Sequence, residues 1–361
     1  MSTYRIAAIG GDGIGPEVLA EALKVLDAVV GDGLKLAFEH AEVGAALYRR
    51  TGVDLPAETL DLCQSADAIL FGAAGLPDVR LPDGTEVAPQ VTLRFLLDLY
   101  AGVRPIRLYP GVPSPLALPP GRTIDYVVVR ENVEGLFASR GGGAAVGDEV
   151  VADTLIVTRR GAERVVRRAF ALARRRQARR PAPAAGPRVT CVDKANIFRS
   201  YAFFRKVFHA VARDFPDVAT DTAYMDAMTM YVVQAPWRYD VVVLENLFGD
   251  ILSDLGAATV GGLGLAPSAD IGDRWALFQP SHGTAPDIAG RGVANPLAMI
   301  LSAALMLDWL GERHQDPVAT RAAERIERAV ASVLAAGAAR TPDLGGRATT
   351  REVGDAVAAA L

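Results

Sequence analysis

Asp250 and Asp254 lie four residues apart in the run from Tyr239 to Gly256, YDVVVLENLFGDILSDLG. In a helix this spacing stacks two carboxylates on one face. They repel each other there unless a cation sits close, and hard oxygen donors suit Mg²⁺ or Mn²⁺. A solvated acidic face is the plain alternative for any two acids so spaced. Here Leu247, Phe248, Ile251, Leu252 and Leu255 interleave with the pair, and acids in apolar surroundings are costly to bury without a partner. The pattern favours a metal-binding helix fed by a short apolar strand, Val241 to Leu244, that ends in Glu245 and Asn246.

Two glycine-punctuated segments offer a second kind of chemistry. Gly11-Asp12-Gly13-Ile14-Gly15 follows a strand and opens a helix, where a dinucleotide fingerprint would lie. Pro16 stands where the third glycine should be, so the stretch reads as a glycine turn beside a ligand and not as a Rossmann fingerprint. The other segment runs from His282 through Gly283, Thr284, Ala285, Pro286 and Asp287 to Gly290, and on to Asn295-Pro296. It combines an imidazole, small residues that permit close backbone approach, and an acid able to accept from a ribose diol. Gly261 to Ala269 reads as a further pliable loop.

The elements that must position these groups alternate between strand and helix. Arg5 to Ile9, Ala68 to Gly72, Tyr126 to Arg130 and Val189 to Val192 read as buried strands. Pro16 to Val30, Gly161 to Arg180, Leu297 to Leu310 and Asp316 to Ala336 read as helices, which predicts an α/β fold with a largely parallel sheet. The arginine cluster Arg174 to Arg180, followed by PAPAAGP, reads as a solvated helix end and a helix stop. Gly141 to Gly143, with Ala144 and Ala145, reads as a loop or hairpin arm.

Composition narrows the class. With 361 residues and a net charge of −4, the chain is large enough for two lobes and carries no global footprint for nucleic acid. Cys63 and Cys191 lie far apart without a CxxC or a histidine-rich neighbourhood, which predicts buried free thiols in a reducing compartment. The first residues pass straight into a strand, so a signal peptide is not expected. No apolar run of about 18 residues occurs, and no membrane partner is expected. The reading is a soluble cytoplasmic protein.

From Ile6 to about Gly346 the chain resembles the β-decarboxylating dehydrogenases, which act on isopropylmalate, isocitrate, homoisocitrate, tartrate or D-malate. The resemblance rests on GDGIGPEV (Gly11 to Val18), LRFLLDLYAGVRP (Leu93 to Pro105), VVRENVEGLF (Val128 to Phe137), VDKANI (Val192 to Ile197), YMDAM (Tyr224 to Met228), LFGDILSD (Leu247 to Asp254) and HGTAPDIAGRGVANP (His282 to Pro296). It implies a two-lobed isopropylmalate dehydrogenase-like fold that binds its nicotinamide cofactor without a Rossmann domain. Residues 1–100 and 259–361 would form the cofactor-binding lobe. Residues 101–258 would carry the dimer contacts and the metal and substrate groups.

By the same resemblance Arg94, Arg104 and Arg130 grip the two carboxylates of a malate-type substrate, a task suited to guanidinium forks. Asp226, Asp250 and Asp254 match the metal-binding acids, for Mg²⁺ or Mn²⁺. Lys194 matches the base beside the substrate hydroxyl. In the family Lys194 and Asp226 come from the neighbouring subunit, which implies a homodimer with shared active sites. Asp287 matches the acid that bonds the adenosine ribose, and a carboxylate there would repel a 2′-phosphate, so NAD is expected. Ile14, His282, Gly283, Thr284, Ala285, Pro286 and Asn295 complete the expected cofactor contacts.

Two positions depart from the family pattern. Phe137 stands where a tyrosine is associated with protonating the enolate left by decarboxylation, and a phenyl ring has no proton to give. Water or another side chain then donates, or the substrate needs no such acid, or the chain is a non-catalytic regulatory paralogue. Gln90 replaces a leucine in the wall that cups the isopropyl group. A buried amide needs a partner, so the expected substrate is a tartrate- or D-malate-like acid, or another 3-substituted malate, with 3-isopropylmalate as the alternative.

Overall fold

The structure, a computed structural model, describes residues 2–31, 33–180 and 186–361. The chain gathers into two compact units: Met1–Asp98, Tyr109–Ser114 and Val260–Leu361 form the first, and Leu99–Leu108 with Pro115–Thr259 the second. In chain order the first unit begins with β1 (Ser2–Gly11), α1 (Gly15–Val29), β2 (Leu34–Ala41), α2 (Ala45–Thr51), α3 (Ala57–Ser65), β3 (Ala68–Ala73) and α4 (Pro89–Leu96). The second holds β4 (Ala101–Arg107), β5 (Asp125–Glu131), β6 (Ala144–Val146), β7 (Val150–Ala152), α5 (Arg159–Arg179), β8 (Arg188–Asp193), α6 (Arg199–Ala212), β9 (Ala219–Tyr224), α7 (Met225–Gln234), β10 (Val241–Leu244) and α8 (Asn246–Ala258). The chain then returns to the first unit with β11 (Pro267–Ile271), β12 (Ala276–Pro280), α9 (Leu297–His314), α10 (Pro317–Ala336) and α11 (Thr350–Ala359).

In the first unit the strands run in the order β2-β1-β3-β12-β11, parallel except where β11 meets β12. Every residue of β3 is buried, as expected for a parallel strand covered on both faces. Helix α9 is apolar almost all round, with every residue from Leu297 to Ala304 buried, and so belongs to the core. Asp316 caps α10 by accepting from Val318 N at 2.8 Å, and Thr349 and Glu352 form a reciprocal capping box at the start of α11.

The second unit has the order β4-β5-β10-β8-β9, with β4 antiparallel to β5 and the other four strands parallel. This topology does the positioning. The carboxyl ends of the parallel strands deliver Arg130 in β5, Lys194 just after β8, Asp226 two residues after β9, and Glu245 just after β10. In open α/β sheets that edge is where ligands bind.

The mixed α/β class is as expected, and the strand and helix cores lie where periodicity put them. Gly261 to Ala269 is more ordered than a pliable loop: it holds a 3-10 turn, Leu263–Leu265, and the first residues of β11. The expected helix stop at PAPAAGP falls on residues 181–185, outside the described residues, and on Gly186-Pro187 beyond them. The glycine arm leads into the β6–β7 hairpin, which exposes Val146, Val150 and Val151. Among the described residues no helix is long and apolar enough to cross a membrane.

Candidate active site

The acidic helix is anchored before it carries any chemistry. Glu245, almost fully buried, caps α8 by accepting from Leu247 N at 3.1 Å and Phe248 N at 3.4 Å, and the Tyr201 hydroxyl donates to it at 3.1 Å. Burial pushes the Glu245 carboxyl above its ordinary value, while the two N–H donors and the tyrosine pull the other way. Gly249 lets α8 close on β5, because a Cβ there would lie 2.6 Å from Cβ and Cγ of Arg130.

That approach brings two of the expected arginines to the acids. Arg130, 1% exposed, donates from Nε to Asn246 Oδ1 at 2.9 Å, from a terminal nitrogen to the same oxygen at 2.7 Å, and to Asp250. Arg104 reaches Asp250 at 3.2 Å, Ser253 Oγ at 2.6 Å and, at 3.9 Å, Asp254. The Phe137 ring centre lies 4.9 Å from the Arg130 guanidinium carbon, a cation–π contact. Phe137 therefore does pack at the arginine, as a hydrophobic plate without a proton. Asp254 is pushed above its usual value, mainly by burial and further by Asp250, with Arg104 opposing. Two stacked carboxylates whose side chains stay partly open to solvent are a donor set that fits a divalent cation.

Lys194 and Asp226 form a second pair: the ammonium donates to Asp226 Oδ1 at 2.6 Å, and that bond holds the carboxyl below its ordinary range. Asp226 thus pairs with Lys194, and Asp250 with Arg104 and Arg130. Among the described residues no three His, Cys, Asp or Glu side chains of one chain come together as a metal site.

Arg94 and Gln90 lie on α4. The buried Arg94 donates from Nε to Asp270 Oδ2 at 2.8 Å, and Gln279 bonds the same oxygen at 3.1 Å, so a buried acid orients this guanidinium. Gln90 Nε2 makes a long 3.4 Å bond to Ala74 O, and its Oε1 is buried with no partner among the described residues.

The two glycine segments pack on each other. Ile14 N donates to Thr284 O at 2.8 Å, and a Cβ on Gly13 would collide with the same carbonyl. Thr284 Oγ1 donates to Gly75 O at 2.7 Å. Asp12 holds this corner by accepting from Ala45 N, Ala46 N and Gly75 N. Ala285 adopts a left-handed φ of 38°, strain of a kind found at ligand clamps. Gly283, Pro286 and Asp287 are exposed along this segment. His282 Nδ1 lies 2.9 Å from Gly283 O; a carbonyl only accepts, so the proton sits on Nδ1. Nε2 is then a bare acceptor, buried with no partner among the described residues, and burial keeps the ring below its usual pKa. An orphaned acceptor beside an exposed acid and small residues fits an adenosine moiety. Asn295 is engaged within the fold: Nδ2 donates to Asp343 at 3.0 Å and Oδ1 accepts from Leu297 N.

Sequence reading missed Asn246, Ser253, Asp270, Asp193 and Arg205. Asn246 and Asp193 adjoin recognised residues, but their roles depend on partners far along the chain.

Residues 5–357 match the family described as isocitrate/isopropylmalate dehydrogenase. The chain is 46% identical over 356 residues to the 3-isopropylmalate/3-methylmalate dehydrogenase of Methanocaldococcus jannaschii, covering 98% of both chains. It is 44% identical to the 3-isopropylmalate dehydrogenase of Rhodococcus erythropolis, covering 99% of this chain and 100% of that one. The crystal structure of isocitrate dehydrogenase from Methylococcus capsulatus superposes with a TM-score of 0.86 at 38% identity, covering 99% of each chain. The chain belongs to the isocitrate/isopropylmalate dehydrogenase family, whose members are NAD-dependent decarboxylating dehydrogenases.

Proposed function

We propose that this enzyme oxidises and β-decarboxylates 3-isopropylmalate, or a malate with a similarly small alkyl group at C3, using NAD and a divalent ion. The carrying observation is the full-length similarity to relatives named for 3-isopropylmalate and 3-methylmalate. It favours the alkyl-malate reading over the tartrate- or D-malate-like one. The latter stays as a second reading because the unpartnered Oε1 of Gln90 suits a polar C3 substituent.

In this reading Arg94, Arg104 and Arg130 bind the substrate carboxylates, with Asn246 and Asp270 fixing the planes of Arg130 and Arg94. Lys194 of the partner subunit, which arrives together with the partner's Asp226, receives the C2 hydroxyl proton. When bound, the nicotinamide would supply a hydride acceptor, and the divalent ion, which Asp250, Asp254 and Asp226 of the partner subunit would hold, would supply Lewis acidity. Phe137 covers Arg130 and excludes water from one side of it, while the proton that completes the product comes from solvent or another side chain. Asp287 would bond the ribose hydroxyls and disfavour a 2′-phosphate, and His282 Nε2 would accept from the adenosine. The residue 1–100 and 259–361 segments would serve the cofactor, and 101–258 the metal, substrate and dimer.

A homodimer with shared sites is supported by the acid triad being incomplete within one chain. It is also supported by the apolar surface that Ile197, Phe198, Met230, Tyr231, Val233 and Ile251 expose around Lys194, α7 and α8. Two buried free cysteines agree with a cytoplasmic setting. The test is NADH formation with Mg²⁺ or Mn²⁺ across 3-isopropylmalate, D-malate, tartrate and isocitrate. Preference for 3-isopropylmalate is expected; a preference for tartrate or D-malate selects the second reading, and silence on the whole panel sinks both.

A further inference from the structure

We infer that Arg205, through its pairing with Asp193, is a positioning residue for Lys194. The inference rests on Lys194 being the base of the proposed reaction. Lys194 is the first residue beyond β8, in a turn closed by Ile197 N and Phe198 N donating to its carbonyl at 3.0 and 3.1 Å. Its own amine is tethered weakly: the partner Asp226 has a side chain 69% exposed, and exposed pairs of this kind contribute little. What fixes the backbone is the residue before it. Asp193 is wholly buried, and its Oδ1 accepts from Ala195 N at 2.8 Å, so the peptide beyond Lys194 is tied to the side chain that precedes it.

A carboxylate buried so completely must be paired, and α6 supplies the partner. Arg205 forks onto Asp193, Nε to Oδ2 and a terminal nitrogen to Oδ1, both at 2.8 Å. The Cys191 thiol donates to Oδ2 at 3.6 Å. The Arg205 guanidinium carbon lies 4.9 Å from the centre of the Tyr224 ring, and Lys194 Nζ lies 6.0 Å from the same centre. Tyr224 is the register partner of Asp193 in the β8–β9 ladder and the N-cap of α7, which carries Asp226. One guanidinium thus braces both strand ends that present the Lys194–Asp226 pair.

The brace depends on a planar fork, which lysine cannot reproduce although it keeps the charge. The experiment compares Arg205→Lys with the wild-type dimer on 3-isopropylmalate, NAD⁺ and Mg²⁺. Expected is a kcat loss of up to about 100-fold, the scale on which misplacing a catalytic group acts, with KM for both substrates unchanged. The primary isotope effect on kcat from C2-deuterated substrate should rise, because chemistry then limits turnover. Circular dichroism checks the fold. Should Arg205→Lys not fold, Tyr224→Leu, at a partly exposed ring, is read instead, with kcat expected to fall about threefold, the worth of one exposed cation–π contact. A folded variant with wild-type kcat and isotope effect overturns the inference, and so does one whose kcat and KM change together. Lys194→Ala run alongside separates the two levels. If it still oxidises substrate, the base assignment itself fails; if it is inactive while Arg205→Lys is normal, only the positioning role fails.

Discussion

Replacing Gln90 by leucine should move substrate preference by an amount that follows from its surroundings. Gln90 holds one 3.4 Å bond to Ala74 O and leaves Oε1 buried without a partner among the described residues. An unsatisfied buried acceptor costs about 1–3 kcal/mol, and an alkyl substituent packed against it cannot relieve that cost. Leucine removes the acceptor and adds apolar contact worth about 0.8 kcal/mol per buried methylene. That cost and the bond to Ala74 are present with and without substrate, so the gain for an isopropyl group comes from the apolar contact: about 1.4 kcal/mol for roughly two methylenes, or about tenfold in kcat/KM. A hydroxylated C3 loses its partner and should fall by a similar factor. The assay is initial-rate NADH formation by Gln90→Leu and wild type on 3-isopropylmalate and on tartrate, each with Mg²⁺. A ratio of the two kcat/KM values that does not move would refute the placement of Gln90 at the C3 substituent.

Two further perturbations probe the arginine-bearing strand. Phe137→Tyr should alter the decarboxylation or protonation phase in single-turnover kinetics and leave NAD⁺ affinity unchanged; identical transients in the two proteins would remove Phe137 from the reaction. Glu131, which follows Arg130 at the end of β5, is pushed up to about 7 by burial, against the pull of the Val133 and Glu134 amides. A folded state that binds the proton more tightly than the unfolded chain is most favoured below about pH 4.5 and loses that advantage as pH rises through about 7. Glu131→Gln should therefore flatten the pH dependence of the unfolding free energy from urea titrations across this window, by at most about 3 kcal/mol; parallel curves for variant and wild type would contradict it.

How much of this was legible in the sequence depends on how local the cause is. The Asp250/Asp254 stack follows from helical spacing alone, and α8 begins at Asn246, directly after the glutamate that follows the strand. Buried apolar strands such as β3 and β10 declare themselves by composition. Edge strand β9, reading ATDTAY and mostly exposed, carries no such signal. Strand β4 hides because arginine and proline interrupt its pattern, although its partner β5 supplies the burial that makes it a strand. The pairing of Arg94 with Asp270 spans 176 residues, so no window of sequence contains it. Gly249 could be read as a helix residue but not as the point where α8 touches Arg130. The glycine turn was recognisable as a strand-to-helix turn, while its contact with Thr284 needed the fold.

The most direct test of the account is subunit complementation. Asp226→Asn and Asp250→Asn are each purified, and each is expected to be inactive with Mg²⁺. They are then dissociated, mixed and reassociated, with heterodimer formation followed by native mass spectrometry. If one protomer supplies Asp226 and Lys194 while the other supplies Asp250 and Asp254, the heterodimer contains one intact site and NADH formation returns. Heterodimers that form and stay inactive would contradict a divalent-ion site shared between protomers.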